Sequence, residues 1–282
     1  MTSSRSALTP QRAEAPPDVA AWTRWFMAAD IPVLAETAEA LEALRANEDD
    51  VDANSLGEMI SSDPLMTLKV LAYESRHRSR RVVTSAETVI SALVMMGISP
   101  FFRAFGPQET IDDRLVDRPE AFEGLERVLR RAHRGANFAL AFAVHRTDPD
   151  AAVIHAAALL HEFAEMLLWC HAPELAAQVQ AMLDADPELR SSAAQRAVLN
   201  VELAELQRAL AEAWRLPALI IESTAEAKAT GQTSARIVAL AARLARHTSR
   251  GWDNAAVPDD LSEIATLLNL SPQATLTLLT EI

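Results

Sequence analysis

Apolar residues recur at three- and four-residue intervals along almost the whole chain, the period of an amphipathic helix. Trp22, Trp25, Phe26 and Ala29 set the first stripe, with Asp18 placed to cap it. Ile31-Pro32-Val33-Leu34 breaks that helix and starts a second, which reaches about Arg45. Leu56, Met59 and Ile60 predict a short helix ending near Ser61-Ser62. Asp63-Pro64 then reads as a cap followed by proline in the first turn, leading into Leu65, Leu68, Val70 and Leu71. Thr84 or Ser85 opens the next helix, which runs through Val94 to Met96 and is closed by Gly97.

The pattern lapses over residues 106–119, where Gly106, Pro107, Asp112, Asp113, Asp117 and Pro119 predict a linker. A long helix follows from Glu120 to about His145, stopped by Thr147-Asp148-Pro149. The next helix, Ala151 to His171, is apolar on nearly every side, which marks it as central. Pro173, Pro187 and Pro217 punctuate further helices. Another spans about Ser234 to His247, and a pair, Asp260 to Leu268 and Pro272 to Glu281, finishes the chain. The expected fold class is all-α, arranged as a disordered tail (1–17), an N-terminal lobe (18–106), a linker (107–119) and a second lobe (120–282).

Composition agrees with helix: half the residues are hydrophobic and there are only 7 glycines. The formal charge of −13, from 39 acidic and 26 basic residues, repels phosphate backbones, so DNA is not an expected partner. Cys170 is the only cysteine, which excludes an intramolecular disulfide and predicts a small core residue in a reducing compartment. No apolar run reads as a membrane span, since Val153 to Leu168 is interrupted by His155, His161, Glu162 and Glu165. With no signal-peptide core near the N-terminus, the expected location is the cytoplasm.

Two stretches carry a family resemblance. The first runs from Ile31-Pro32-Val33-Leu34 through Ser62-Asp63-Pro64-Leu65, Leu71-Ala72 and Thr84-Ser85 to Leu93-Val94-Met95-Met96-Gly97. The second is Leu159-Leu160-His161-Glu162-Phe163-Ala164-Glu165-Met166-Leu167-Leu168, followed by Trp214-Arg215-Leu216-Pro217. In order and spacing they resemble the HDOD family, bacterial signalling domains related to HD-type metal-dependent phosphohydrolases, over roughly residues 30–225. The resemblance implies a two-lobed helical domain whose second lobe is an HD-like bundle.

The departures from that pattern bear on chemistry. The superfamily's metal site uses a first His, a His-Asp pair and a distal Asp to activate a water against a phosphoester. By resemblance the first His matches His133 and the pair matches His161 and Glu162. Ala242 stands in the place of the distal Asp, and Glu162 displaces its carboxylate by one methylene. Ala227-Lys228 stand near the place of a His-His pair often found in the family. The expectation is a vestigial pocket of His133, His161 and Glu162, with no catalytic residues, metal or cofactor.

Other candidate features read as structural. His161 and Glu165 share a helix face, and the reading there is ion pairing or partial exposure of one flank. Arg76, His77, Arg78, Arg80 and Arg81 form the densest basic run and are a candidate interaction loop. No aromatic is interleaved to stack on bases, and a solvated inter-helix loop competes with docking. The terminal pair superficially resembles a helix-turn-helix, yet its second helix has no Lys or Arg, so a closing hairpin is the better reading. The helix of Trp22 and Trp25 packs either on the protein's body or between protomers. The function expected from the resemblance is a non-catalytic regulatory module acting by protein or ligand binding, with separate signalling proteins as partners and a nucleotide as a candidate ligand. The alternatives are a metal-dependent nucleotide phosphodiesterase and a nucleotide-sensing module without turnover.

Overall fold

The described chain opens with an aromatic helix, and a folded connector at 107–119 precedes its longest helix. A computed structural model describes residues 14–77, 86–224 and 233–281. Its first seven helices are α1 (Val19–Ala28), α2 (Ala35–Arg45), α3 (Ala53–Ser61), α4 (Pro64–His77), α5 (Val89–Met96), α6 (Ile98–Ala104) and α7 (Ile111–Arg114). Then come α8 (Pro119–His145), α9 (Ala151–Leu159), α10 (Phe163–His171), α11 (Pro173–Ala185), α12 (Ser191–Leu199) and α13 (Leu203–Trp214). The chain closes with α14 (Ala218–Ser223), α15 (Thr233–His247), α16 (Val257–Leu268) and α17 (Pro272–Thr280). The described residues form no strand, only an isolated parallel bridge between Val33 and Thr110. The fold is all-α, as the periodicity predicts.

Local chemistry explains the ends of these helices. The Asp18 carboxylate accepts from the Ala21 amide at 2.7 Å and starts α1. Asp63, fully buried, accepts from the amides of Leu65 and Met66 at the head of α4 and from Leu34 across the fold. Thr88 caps α5 in a reciprocal box with Ser91, so that helix starts later than Thr84 or Ser85. Thr84 and Ser85 themselves lie outside the described residues. Proline occupies the first turn of α8, α11, α16 and α17, where its missing N–H costs nothing.

The core is one continuous apolar cluster, fully shared by the parts expected as separate lobes. Helix α8 is its spine and packs on α9, α10, α11 and α15. Helix α1 crosses over to pack on α13, so the segment after residue 18 does not belong wholly to the first lobe. Its Trp22, completely buried, stacks on Phe26 and donates its indole N–H to the Leu199 carbonyl at 2.9 Å. This settles the aromatic stripe of α1 as intramolecular packing.

Residues 107–119 are not a free linker either. Ile111 and Leu115 are buried, and Arg114 reaches the C-terminal end of α10. There its guanidinium donates to the Cys170 carbonyl and lies 2.8 Å from His171 Nδ1, with Glu109 as counter-ion. Beside that cation, burial holds His171 neutral, its pKa pushed down to about 3. The α10 C-terminus is where a cation is favoured by the unsatisfied carbonyls.

The central helix expected from Ala151 to His171 is broken into α9 and α10 at Leu160–Glu162. By length and composition this stretch could span a membrane, contrary to the reading of its charges as disqualifying. Most of it is buried inside the bundle, as the core of the fold. The terminal pair forms the expected hairpin: Asp260 of α16, buried, pairs with Arg243 and His247 of α15 at 2.7 and 2.6 Å. Helix α17 packs on α16.

Candidate functional site

The break between α9 and α10 places His161 and Glu162 in a turn, and a side chain from elsewhere holds it. Gln207 of α13, buried, donates to the carbonyls of Leu160 and His161 and accepts from the Ala164 amide. Its amide thus satisfies backbone groups that the interrupted helix leaves without partners. With the turn fixed, Glu162 points at α8 and α15.

Two arginines meet it there. Arg131 of α8 donates through Nε to Glu162 and through Nη2 to Glu165 at 2.6 Å. Arg246 of α15 donates to the second oxygen of Glu162 at 3.0 Å. Glu162 is only 11% exposed. Burial alone would raise its pKa, but Arg131 and Arg246 overcome that and hold it down at about 2. Glu165 goes the other way: burial, with the neighbouring Glu162 charge, outweighs Arg131 and raises it. Arg131 is correspondingly held as a cation, its own desolvation outweighed by the two carboxylates.

His161 lies beside this network, with burial pushing its pKa down and keeping it neutral. Among the described residues its Nδ1 finds no hydrogen-bond partner. These groups open on a cavity of about 370 Å³, walled on the far side by Leu168, Val179 and Leu183. The ion-pairing expected for Glu165 is present, with Arg131 as its partner.

His133 is not part of this cluster, which corrects the expected grouping of His133, His161 and Glu162. Residues 131 and 133 point about 200° apart on a helix, so when Arg131 faces the turn His133 faces away. It lines a separate cavity of about 210 Å³ with Leu34, Phe122, Leu125 and Leu129. Burial lowers its pKa there, against the attraction of Asp63. Ala242 is buried where α15 crosses α8, its Cα within 3.6 Å of where a side chain on Gly135 would begin. Among the described residues no three His, Cys, Asp or Glu groups converge as metal ligands.

Of the candidate interaction loop, only Arg76 and His77 can be placed; Arg78, Arg80 and Arg81 lie outside the described residues. Arg76 approaches the Met27 sulfur at 3.4 Å, and His77 stacks on Tyr73. Both line a cavity of about 380 Å³ with Lys69, which pairs with Asp30. Ala227 and Lys228 also fall outside the described residues. Sequence reasoning missed Arg131, Arg246 and Gln207, because each reaches the turn from a different helix and no local spacing announces it.

The comparisons with known proteins agree with this architecture. The family model described as HDOD domain matches residues 31–230. No curated protein matches the chain. The structure is similar to the MmoQ response regulator of Methylococcus capsulatus str. Bath, at 18% identity and a TM-score of 0.64, over 90% of this chain and 99% of that one. It is also similar to a virulence factor of Campylobacter jejuni subsp. jejuni, at 16% identity and a TM-score of 0.60, over 93% and 97% of the two chains. At such identities the likeness is one of fold. The family model covers well over half of the sequence, and the chain belongs to the HDOD domain family.

Proposed function

We propose that this protein is a regulatory module of bacterial signal transduction that acts in the cytoplasm by binding a partner or ligand, without turnover. The observation that carries this reading is the guanidinium of Arg131 lying between Glu162 and Glu165, with Arg246 on the remaining oxygen of Glu162. The HD-type superfamily places a divalent cation against such a His-acid pair. Here Arg131 pairs with both acids and Arg246 with Glu162, and a metal ion would have to displace these cations. Ala242 supplies no donor atom, and His133 is directed elsewhere. This donor set does not fit a divalent metal.

A separate signalling protein is the implied partner. The neighbour from Methylococcus capsulatus is named a response regulator, which is consistent with such a role.

The test is metal content by mass spectrometry after purification in manganese- and zinc-supplemented medium, paired with hydrolysis of bis(p-nitrophenyl) phosphate. The expected result is substoichiometric metal and no turnover above a blank. Stoichiometric metal that disappears in His161→Ala, together with phosphodiester cleavage, would overturn the reading.

A further inference from the structure

Behind the Arg131 network, α8 carries a row of arginines. Arg127, Arg131 and Arg134 are spaced four and three residues apart and so share one face. With Arg130, and with Arg250 from beyond α15, they line a cleft of about 470 Å³ whose wall includes Trp169. Glu165 is the only carboxylate lining that cleft among the described residues, and Arg131 already holds it.

The remaining cations are unequally committed. Arg130 pairs with Glu126 and Arg250 with Asp184, both on exposed surface where such pairs exchange readily with solvent ions. Arg127 is in no contact-distance pair among the described residues, although its charge, with that of Arg250, lowers the pKa of the nearby Asp184. Arg134 is fixed in place, donating to the Thr248 carbonyl at 2.9 Å and lying over the rings of Phe138 and Trp252. Among the described residues no carboxylate pairs with it, and burial pushes its pKa down. A half-buried guanidinium held by a carbonyl and two rings is oriented for an anion that the described residues do not provide.

We propose that this cleft binds a small organic phosphate of nucleoside-monophosphate size, its phosphate group held by Arg127, Arg134 and Arg250. The adjoining 370 Å³ cavity shares Arg131, Glu165, Trp169 and Gln180 with the cleft and offers the apolar wall of Leu168, Val179 and Leu183. That wall suits the uncharged part of such a ligand, and both volumes fall within the ordinary range of small-molecule sites. The global charge of −13 does not oppose it. Fields are screened over about 8 Å at physiological salt, so a compact dianion in the cleft feels the arginines first. A long polyanion would lie across the acidic surface as well, which disfavours nucleic acid. The proposal deepens the binding reading and rests on it in one respect, that the phosphate is held and not cleaved.

The experiment is a calorimetric titration at constant ionic strength, with adenosine monophosphate and inorganic phosphate as probes and chromatographic analysis of the nucleotide afterwards. Wild-type protein is expected to bind both saturably, the nucleotide more tightly. The double variant Arg127→Gln/Arg134→Gln is expected to bind at least about tenfold more weakly. Arg208→Gln, on an exposed i,i+4 pair of α13, is expected to bind as wild type does. Circular dichroism of each variant shows that the fold is retained. No saturable binding of either probe, or equal affinity in the double variant, would overturn the site while leaving the non-catalytic reading intact. Binding followed by cleavage would keep the site and overturn that reading instead.

Discussion

Glu162 is held by two arginines from two different helices, and its charge is consequently tied to folding. Its pKa of about 2 lies below the ordinary value of 4.5. A carboxylate depressed on folding contributes stability at pH above its unfolded value and loses it as pH falls toward the folded one. The difference corresponds to about 3 kcal/mol when fully expressed. Chemical denaturation of Glu162→Gln should therefore show a deficit of about that size at pH 7, shrinking to about 1 kcal/mol at pH 3. A deficit independent of pH would mean that Glu162 contributes through packing alone. At this scale the sequence was half legible. His161 and Glu162 stood out because they are adjacent and matched a known pair. Arg131 did not, being 31 residues from Glu162 and two from the histidine that drew attention instead.

At the scale of elements, α8 shows how one helix can face both a close neighbour and a bulky one. A Cβ at Gly124 would lie 2.5 Å from the Trp169 ring, whereas at Gly135 it would meet Ala242 and Ala245 at an ordinary 3.6 Å. Replacing a helical glycine with alanine is worth about 1 kcal/mol in propensity, and overpacking costs about 1–3 kcal/mol. Gly135→Ala should accordingly raise the thermal midpoint, while Gly124→Ala should lower it and disturb Trp169 fluorescence. Equal behaviour of the two would contradict the packing described for Trp169. Helix boundaries marked by proline or a capping side chain were readable from sequence, as at Asp18, Asp63-Pro64 and Pro272. The break at Leu160–Glu162 was not, since no glycine or proline marks it. It is sustained by Gln207 from α13, a tertiary partner that no local pattern encodes.

For the molecule as a whole, the two expected lobes are joined by contacts that composition disguised. Residues 107–119 looked like a connector because they are polar and rich in turns, yet Arg114 anchors them to the end of α10. Helix α1 was readable as an aromatic stripe, but its seat on α13 was not, for the stripe has the same pattern whatever covers it. That seat should be among the costliest to disturb. Trp22→Ala is expected to destabilise the protein by about 3–5 kcal/mol, as for other fully buried aromatics. Trp22→Phe keeps the stacking and strands the Leu199 carbonyl, so urea denaturation should give a smaller loss of about 1–3 kcal/mol. A neutral Trp22→Ala would show that α1 is not seated as described.

The bond from Trp22 to Leu199 closes a loop of 177 residues, and this has a consequence for how the protein is made. Ribosomes add about 5–20 residues per second, so the first helix waits about 10–35 s before its receptor exists. Throughout that interval Trp22 and Phe26 have no native surface to cover them. A chain stalled or cut short of residue 199 keeps that aromatic stripe in view, a handle for chaperones and quality-control proteases.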